Sequence, residues 1–600
     1  MRAPQQDRGP FILLVCLVLG YVIARAVLVP ITNDECTSFL AYAQPGTFLP
    51  FASMWDANNH YLSTALGMLG YRIMGFSWFA LRWASVLAFV AYALGAWRMG
   101  AWVIDRFVRW SLWCALLMCP LLLDFFALYR GYGVALAGLL LAFEALVRYT
   151  MHGGPAAWRT ALFASLVAGL ALIGVVPVWG LLLMLLAFAA FKRWPQLSGA
   201  QKWQHALWWI IVGAVPFTVM LALAVLQFRL GLLYHGNTTG LVSVTIGSLS
   251  MAVLGTDGSI SRFVILLLLT GAVLMAFLQY SRAGWRSPLV LVAGVLAAEV
   301  VARFCAAHMI GLNYPEDRAA LHLLLLFILL IALALDELAT HDRRWLLLAL
   351  PLWYLPGRTL VTANMDHTVL WPEQSIPVRF VERVRDLERT LDRPVVVGTH
   401  RLAGSPWSLQ ARRCGVESDA SALCFPHGAD DIRLVDKRFL TEASIGYTVV
   451  DSAPSNGLYL LRREEPLLTT LAAHTGFSFD GGGAELIEAC SVDARALRVA
   501  QGLVDVRGTL SALLPLAEAR VAVAVTDSLG AVLHNDLVFL GTRRERWGGE
   551  EWRIVRPLPK LPKAQRLHFY FWDPFVRQCT MRQGQLTFFS LRNDTGSLER

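Results

Sequence analysis

Long apolar runs separated by short polar loops fill the first three fifths of the chain, and shorter, mixed patterns fill the rest. A helix that crosses a bilayer takes about 20 mostly apolar residues. About 11 runs fit that reading: 11–29, 78–97, 107–123, 131–149, 160–175, 178–191, 205–228, 262–280, 288–305, 319–335 and 345–360. The first lacks a small-residue cleavage pattern and more runs follow it, so it reads as a retained helix rather than a signal peptide. A stretch with Pro351, Pro356, Pro372 and Pro377 then leads into helical spacing over 378–391 and buried-strand patterns over 394–398, 447–451 and 458–461. From about Gly476 the pattern becomes strands between Gly, Asp and Asn turns, among them 519–526, 531–537, 567–572 and 586–591, the layout of a β-sandwich. The expected architecture is a polytopic α-helical membrane domain over 1–360, an extracytoplasmic α/β domain over 361–470 and an extracytoplasmic β-sandwich over 471–600.

Composition sharpens this division. Of the 600 residues 56% are hydrophobic and 16% charged, against about 25% charged in an ordinary soluble domain. Residues 1–360 hold 23 basic and 14 acidic side chains, and residues 361–600 hold 29 of each, so the formal +9 belongs to the apolar part. That excludes a nucleic-acid reading of the basic balance, because the water-facing part is neutral. The basic residues recur in every second loop: Arg98, Arg106 and Arg109, then Arg148 and Arg159, then Lys192, Arg193 and Lys202, then Arg282 and Arg286, then Arg343 and Arg344. Cytoplasmic loops carry such an excess. An N-terminus inside the plasma (inner) membrane and an odd number of spans then put everything past residue 360 outside the cytoplasm. There disulfides persist, and Cys414 with Cys424 and Cys490 with Cys579 are candidate pairs, free buried thiols being the alternative.

The chemistry concentrates in loops on the outer side. Residues 30–60 contain no Lys or Arg, yet carry Asp34, Glu35, Asp56 and His60. A carboxylate held at a membrane surface without a neighbouring cation suits a general base, because desolvation raises its pKa toward the working range. The competing reading is a helix cap by Asn33 or Asp34. Arginines open two later spans, in Tyr129-Arg130-Gly131-Tyr132 and in Tyr314-Pro315-Glu316-Asp317-Arg318. The guanidinium fork matches a phosphate; snorkelling for Arg130, and pairing with Glu316 or Asp317 for Arg318, are the plainer alternatives. Glu299 and Arg303, four apart in one span, read as a structural pair, and Asp257 reads as a turn residue. Trp547, Trp552, Tyr570 and Trp572 are either sugar-stacking faces or core aromatics. No Gly-rich nucleotide loop and no Cys/His metal spacing is present; a divalent cation is compatible with the scattered acids, but no spacing marks its site.

The Asp34-Glu35 pair after a first span, the Asn58-Asn59-His60 segment and the Ala80-Leu81-Arg82-Trp83-Ala84-Ser85 run together resemble the membrane glycosyltransferases of the GT-C fold. The nearest branch is that of the protein O-mannosyltransferases, lipid A aminoarabinose transferases and lipopolysaccharide galacturonosyltransferases. The likeness spans most of residues 10–335. It implies a polyprenyl-phosphate sugar donor and a glycan, glycolipid or protein acceptor, with Asp34 as the base beside Glu35 and His60 lining the site. It implies a phosphate role for Arg130, whose Arg130-Gly131-Tyr132 matches the family's Arg-x-Tyr, and for Arg318, which matches a late Arg at a helix start. Asp56, Asn59, His60 and Tyr132 are then the substrate-binding candidates. The chain departs from the family at His60-Tyr61-Leu62, where His-Pro-Pro is usual, and at Ala319, where an aromatic is usual. Two other classes compete: a transporter or flippase of a lipid-linked glycan, which calls for symmetry between halves and acids at the midplane, and a non-catalytic envelope protein binding glycans through its β-domain.

Overall fold

The computed structural model describes residues 5–593 apart from 51, 52, 54, 234, 392, 417–419, 422–429, 513–518, 540–550 and 575. The chain divides into two compact units, Met1–Val27 with Trp55–Asn364, and Leu28–Met54 with Met365–Arg600.

The first unit is helical. Among the described residues eight helices are long and apolar enough to cross a membrane: Gln5–Leu28, Trp78–Gly100, Gly131–His152, Ile173–Gln196, Gly199–Arg229, Ser259–Arg286, Pro288–Ile310 and Asp317–His341. The chain is an integral membrane protein. The other three expected runs are shorter helices, each beside a proline. Over 107–123 the helix Arg106–Leu117 stops at Met118, and Pro120 starts a separate turn, Pro120–Asp124. Over 160–175 the helix Pro155–Ala171 ends at an extended Leu172, and the next helix carries Pro177 in its first turn. Over 345–360 a 3-10 segment, Arg343–Ala349, gives way to Leu350–Thr362, with Pro351 near its start. Proline lacks the N–H that continues a helix and pushes its predecessor out of helical backbone, so it sits at such starts. Among the described residues Tyr61–Met74 and the shorter apolar helix Val242–Leu254 escaped the apolar-run reading.

Burial ranks these helices. The most apolar stretch of Asp317–His341 is 94% enclosed and that of Gly131–His152 83%, whereas that of Gly199–Arg229 is 11% enclosed. A helix that is apolar all round and enclosed by protein belongs to the bundle interior. Arg130 and Arg318 therefore stand at the starts of the two most enclosed helices.

The second unit is built on sheets. Strands β1 (Val397–Thr399), β2 (Ala420–Ser421), β3 (Ile432–Asp436), β4 (Tyr447–Ala453) and β5 (Leu458–Arg463) form one sheet ordered β2-β1-β3-β5-β4. β1 runs parallel to β2 and β3, while β5 is antiparallel to β3 and β4. Helices Val378–Glu388 and Gly404–Arg413 supply Phe380, Val384 and Trp407 to a core with Val397, Leu434 and Leu460. Arg393 and Asp431 form a buried two-pronged ion pair at 2.7 and 2.8 Å, and Asp431 also accepts from the Val396 N–H, pinning the entry to β1. Eight further strands make a β-sandwich: β6 (Leu467–Asp480), β7 (Leu486–Asp493), β8 (Gln501–Ala512), β9 (Arg520–Thr526), β10 (Val532–Phe539), β11 (Glu551–Leu558), β12 (Arg566–Trp572) and β13 (Cys579–Asn593). Its antiparallel sheets are ordered β10-β9-β12-β7 and β11-β8-β13-β6, and alternate residues of both meet in one core.

That core decides the reading of Trp552. Trp552 is 1% exposed, lies parallel to Phe569 and donates to Met581 Sδ at 3.3 Å, so it is a core residue. Trp572 has the Arg520 guanidinium over its ring and donates to Glu485. Trp547 lies outside the described residues, as does Cys424; Cys490 and Cys579 are free thiols rather than a disulfide. Trp552→Ala should lower stability by about 3–5 kcal/mol, read as an earlier midpoint in denaturant unfolding of the sandwich followed by limited proteolysis of the full chain. A midpoint shift under 1 kcal/mol is incompatible with this core placement.

Candidate functional site

The sequence candidates fall into two groups, one in each unit. In the helical unit Asp56 opens a tight turn, its carboxylate accepting from the Asn58 N–H at 2.8 Å and its carbonyl from the Asn59 N–H at 3.1 Å. This Asx turn aims Asn58 and presents His60, the residue before helix Tyr61–Met74. The Arg130 guanidinium donates to the Asn58 side-chain oxygen. Arg130 is extended, φ −141° and ψ 150°, and immediately precedes helix Gly131–His152. Gly131 is required there: a Cβ would lie 1.9 Å from the Ala171 carbonyl oxygen and 3.0 Å from His60 Cβ, so any side chain would push the helix start off its neighbours. Tyr132 meets the His60 ring edge-on at 5.3 Å, and the Arg130 guanidinium lies 5.8 Å from the Tyr132 ring centre.

Arg318 reaches the same neighbourhood from another helix. Its guanidinium bonds the His235 ring, at 3.0 Å to Nε2. The loop carrying His235 is tied to the Arg318 segment by a two-bond bridge between Asn237 and Tyr314, and Gly236 leaves room for the Tyr314 carbonyl. Thr245 adds a bond to the Pro315 carbonyl at 2.9 Å. Asp317 takes a left-handed backbone, φ 46°, which Asp tolerates better than most residues, and turns the chain into the helix.

His60 is the unusual member. It is 5% exposed, and among the described residues neither ring nitrogen has a hydrogen-bond partner. Burial holds its imidazole well below the usual histidine range, and the positive charges of Arg130 and Arg318 add to that. The group is thus a neutral imidazole set among cations. A buried polar side chain left unbonded costs free energy unless something else meets it.

The sheet-bearing unit holds the two acids. Thr32, rather than Asn33 or Asp34, caps helix Asn33–Ser38. Its hydroxyl accepts from the Glu35 N–H, and the Glu35 carboxylate returns a bond to the Thr32 N–H at 3.0 Å and to its hydroxyl at 3.1 Å, closing a capping box. Glu35 is fully buried in this role, whereas Asp34 is half-buried on the first turn. The Asn33 N–H donates to Gln374 Oε1 at 2.9 Å, which fastens the turn to the α/β part of its own unit.

Of the other polar residues singled out, Glu299 bonds Arg303 at 2.8 Å and also His322 at 3.2 Å, and Asp257 pairs with Arg262. The sequence marks Asn59 as the substrate-binding candidate, whereas the fold sets its neighbour Asn58 against Arg130, and His235 carries no pattern in sequence at all; only the fold brings it to Arg318. Among the described residues no group of three or more His, Cys, Asp or Glu could hold a metal ion.

Fold and site together define a polytopic membrane protein with a cation-rich polar cluster in its helical unit and a sheet-built C-terminal part. No protein-family model and no curated protein matches the sequence. Among solved structures the chain resembles ArnT from Cupriavidus metallidurans, in the apo state at 11% identity and TM-score 0.43, and bound to undecaprenyl phosphate at 10% identity and TM-score 0.46. Each comparison covers 76% of this chain and 98% of ArnT. It also resembles the Archaeoglobus fulgidus oligosaccharyltransferase, solved with Zn and sulfate, at 12% identity over 72% of this chain and 71% of that one, TM-score 0.38. These are membrane glycosyltransferases of the GT-C fold, the class that the sequence motifs resemble. At such identities and scores the likeness assigns no residue and no substrate.

The environment of His60 has a consequence for stability. The folded chain keeps the ring neutral while the unfolded chain takes up a proton near pH 6.5, so stability is unaffected above that pH and falls as pH drops below it. The thermal midpoint of the wild type should fall more steeply between pH 7 and pH 5 than that of His60→Gln. Equal slopes would show that His60 is not the buried neutral group described.

Proposed function

We propose that the chain is a glycosyltransferase of the plasma (inner) membrane that moves a sugar from a polyprenyl-phosphate donor to a glycan, glycolipid or protein acceptor outside the cytoplasm, with inversion at the sugar carbon. The observation that carries this is the neutral, unbonded His60 imidazole under the influence of Arg130, Arg318 and His235. A phosphate-bearing ligand supplies an oxygen to accept from the His60 N–H and a negative charge that suits nearby guanidinium groups. The start of helix Gly131–His152, next to Arg130, adds the partial positive charge of its free N–H groups. The helices that carry the arginines are apolar along their length, which suits a donor with a long hydrocarbon chain.

In the reaction, an acceptor hydroxyl oxygen forms a bond to the sugar C1 as the bond from C1 to the phosphate oxygen breaks. Asp34 takes the hydroxyl proton, and the electron pair leaves on the lipid phosphate. Arg130 and Arg318 meet that charge, a term worth most where water is excluded. Glu35 shapes the turn that holds Asp34, and Asp56 and Asn58 set the direction of Arg130 and His60. Asn59 and Tyr132 line the same polar cluster as substrate contacts. The N-terminus lies in the cytoplasm and the sheet-bearing unit outside it. Undecaprenyl phosphate, carried by ArnT in one solved structure, is a suitable probe of the donor site.

Two measurements on the purified full chain test the roles. Asp34→Asn should lower transfer from a lipid-linked sugar by about 10²- to 10⁴-fold with donor binding retained; undiminished turnover removes Asp34 as base. Arg130→Gln and Arg318→Gln should each weaken undecaprenyl phosphate binding by about 10- to 100-fold, the scale of a lost charged hydrogen bond. Loss of acceptor affinity with donor affinity intact would sink the phosphate assignment.

A further inference from the structure

The sheet-bearing unit contains a cavity of about 240 Å³ to which the reaction above gives no role. It lies at the carboxyl ends of the parallel strands β1 and β3, where His400 follows one strand and Asp436 ends the other. Ligands of α/β sheets bind at that edge, where chain ends diverge and leave space. Its polar lining is Glu373, Gln374, His400, Asp436 and Arg438; Leu434, Leu458 and Ala403 give an apolar floor, and exposed Leu402 stands at the rim.

Three features narrow the occupant. The volume is below the roughly 300–1,000 Å³ of sites for drug-sized ligands, which fits one small ring. Asp436 is held by Arg438 through bonds at 3.0 and 2.6 Å, so these two charges cancel and Glu373 leaves the lining slightly negative, unfavourable to a second anion. The lining combines acceptors and donors with apolar side chains, and the His400 and Phe439 rings are stacked at 4.1 Å. A sugar ring presents that complement, hydroxyls around its edge and C–H groups on its faces. Gln374 adds a link to the chemistry: it is 3% exposed, its Oε1 is taken by the Asn33 N–H beside Asp34, and its Nε2 makes no bond among the described residues.

We propose that this cavity is an acceptor subsite that takes a single neutral sugar ring, Gln374 joining it to the turn that carries Asp34. The proposal rests on the transferase reading for its purpose but not for its binding, and the two are separated by the following test. Saturation-transfer NMR on the detergent-solubilised full chain is run with methyl glycosides of neutral hexoses and pentoses, with inorganic phosphate as competitor. At least one glycoside should bind, phosphate should not displace it, and Ala403→Phe, which fills the cavity, and His400→Ala should each weaken it tenfold or more. His400→Ala should keep the wild-type thermal midpoint, both variants should keep undecaprenyl phosphate binding, and Asp34→Asn should bind the glycoside like the wild type. The subsite is overturned if no neutral glycoside binds, if phosphate displaces it, or if both cavity variants bind unchanged. Glycoside binding with these variant effects but without transfer from a lipid-linked donor supports the subsite and removes the transferase reading alone.

Discussion

A carboxylate enclosed in an apolar helical bundle must be met by a cation or by backbone N–H groups, because neither water nor a high dielectric is there to stabilise it. The helical unit is organised around that constraint. Asp7 is fully buried between Arg106 and Arg109, Asp124 bonds Arg25, Glu144 bonds Arg148, and Glu299 bonds both Arg303 and His322. Asp336 accepts instead from the N–H groups of Ile104 and Asp105. The contacts of Asp7, Asp124 and Asp336 and the Glu299–His322 bond tie one helix or its entry to another, whereas Glu144–Arg148 and Glu299–Arg303 each lie within one helix. Against that background the Arg130 bond to the Asn58 carboxamide and the Arg318 bond to the His235 ring are of a different kind. These contacts join one guanidinium to a carboxamide oxygen and the other to an imidazole ring.

Much of the fold is written in local patterns, because apolar runs and alternation are one-dimensional signals. The eight long helices, the sandwich strands over 519–537 and 566–572, and the helix from Val378 all follow from such patterns. The expected count of about 11 spans fared less well because proline divides apolar sequence without changing its hydropathy, as at Pro120, Pro177 and Pro351. Strand β6 begins before the change of pattern expected at about Gly476, because Leu467-Leu468-Thr469-Thr470-Leu471 does not alternate in polarity.

The polar cluster was partly legible for a physical reason as well. Arg130, His60 and Asp56 are conspicuous because charge is scarce around them, whereas His235 is an ordinary loop histidine until the Asn237 bridge to Tyr314 sets it beside Arg318. Nor does sequence reveal which of two adjacent acids is engaged by the backbone. The capping box answers that: Glu35 is committed to Thr32, and the turn so fixed is the one on which Asp34 stands.

The grouping of Leu28–Met54 with the C-terminal part gives these acids a mechanical meaning. Although they directly follow the first long helix in sequence, their turn is fastened by Asn33 to Gln374, a residue of the sheet-bearing unit. The arginines proposed for the lipid phosphate are fastened to enclosed apolar helices instead. In the proposed reaction the proton leaves the acceptor and the negative charge leaves with the lipid, so the two roles differ in which substrate they serve. On the proposed roles the base stands on the unit that also carries the small polar cavity, and the cations stand on the unit built of apolar helices.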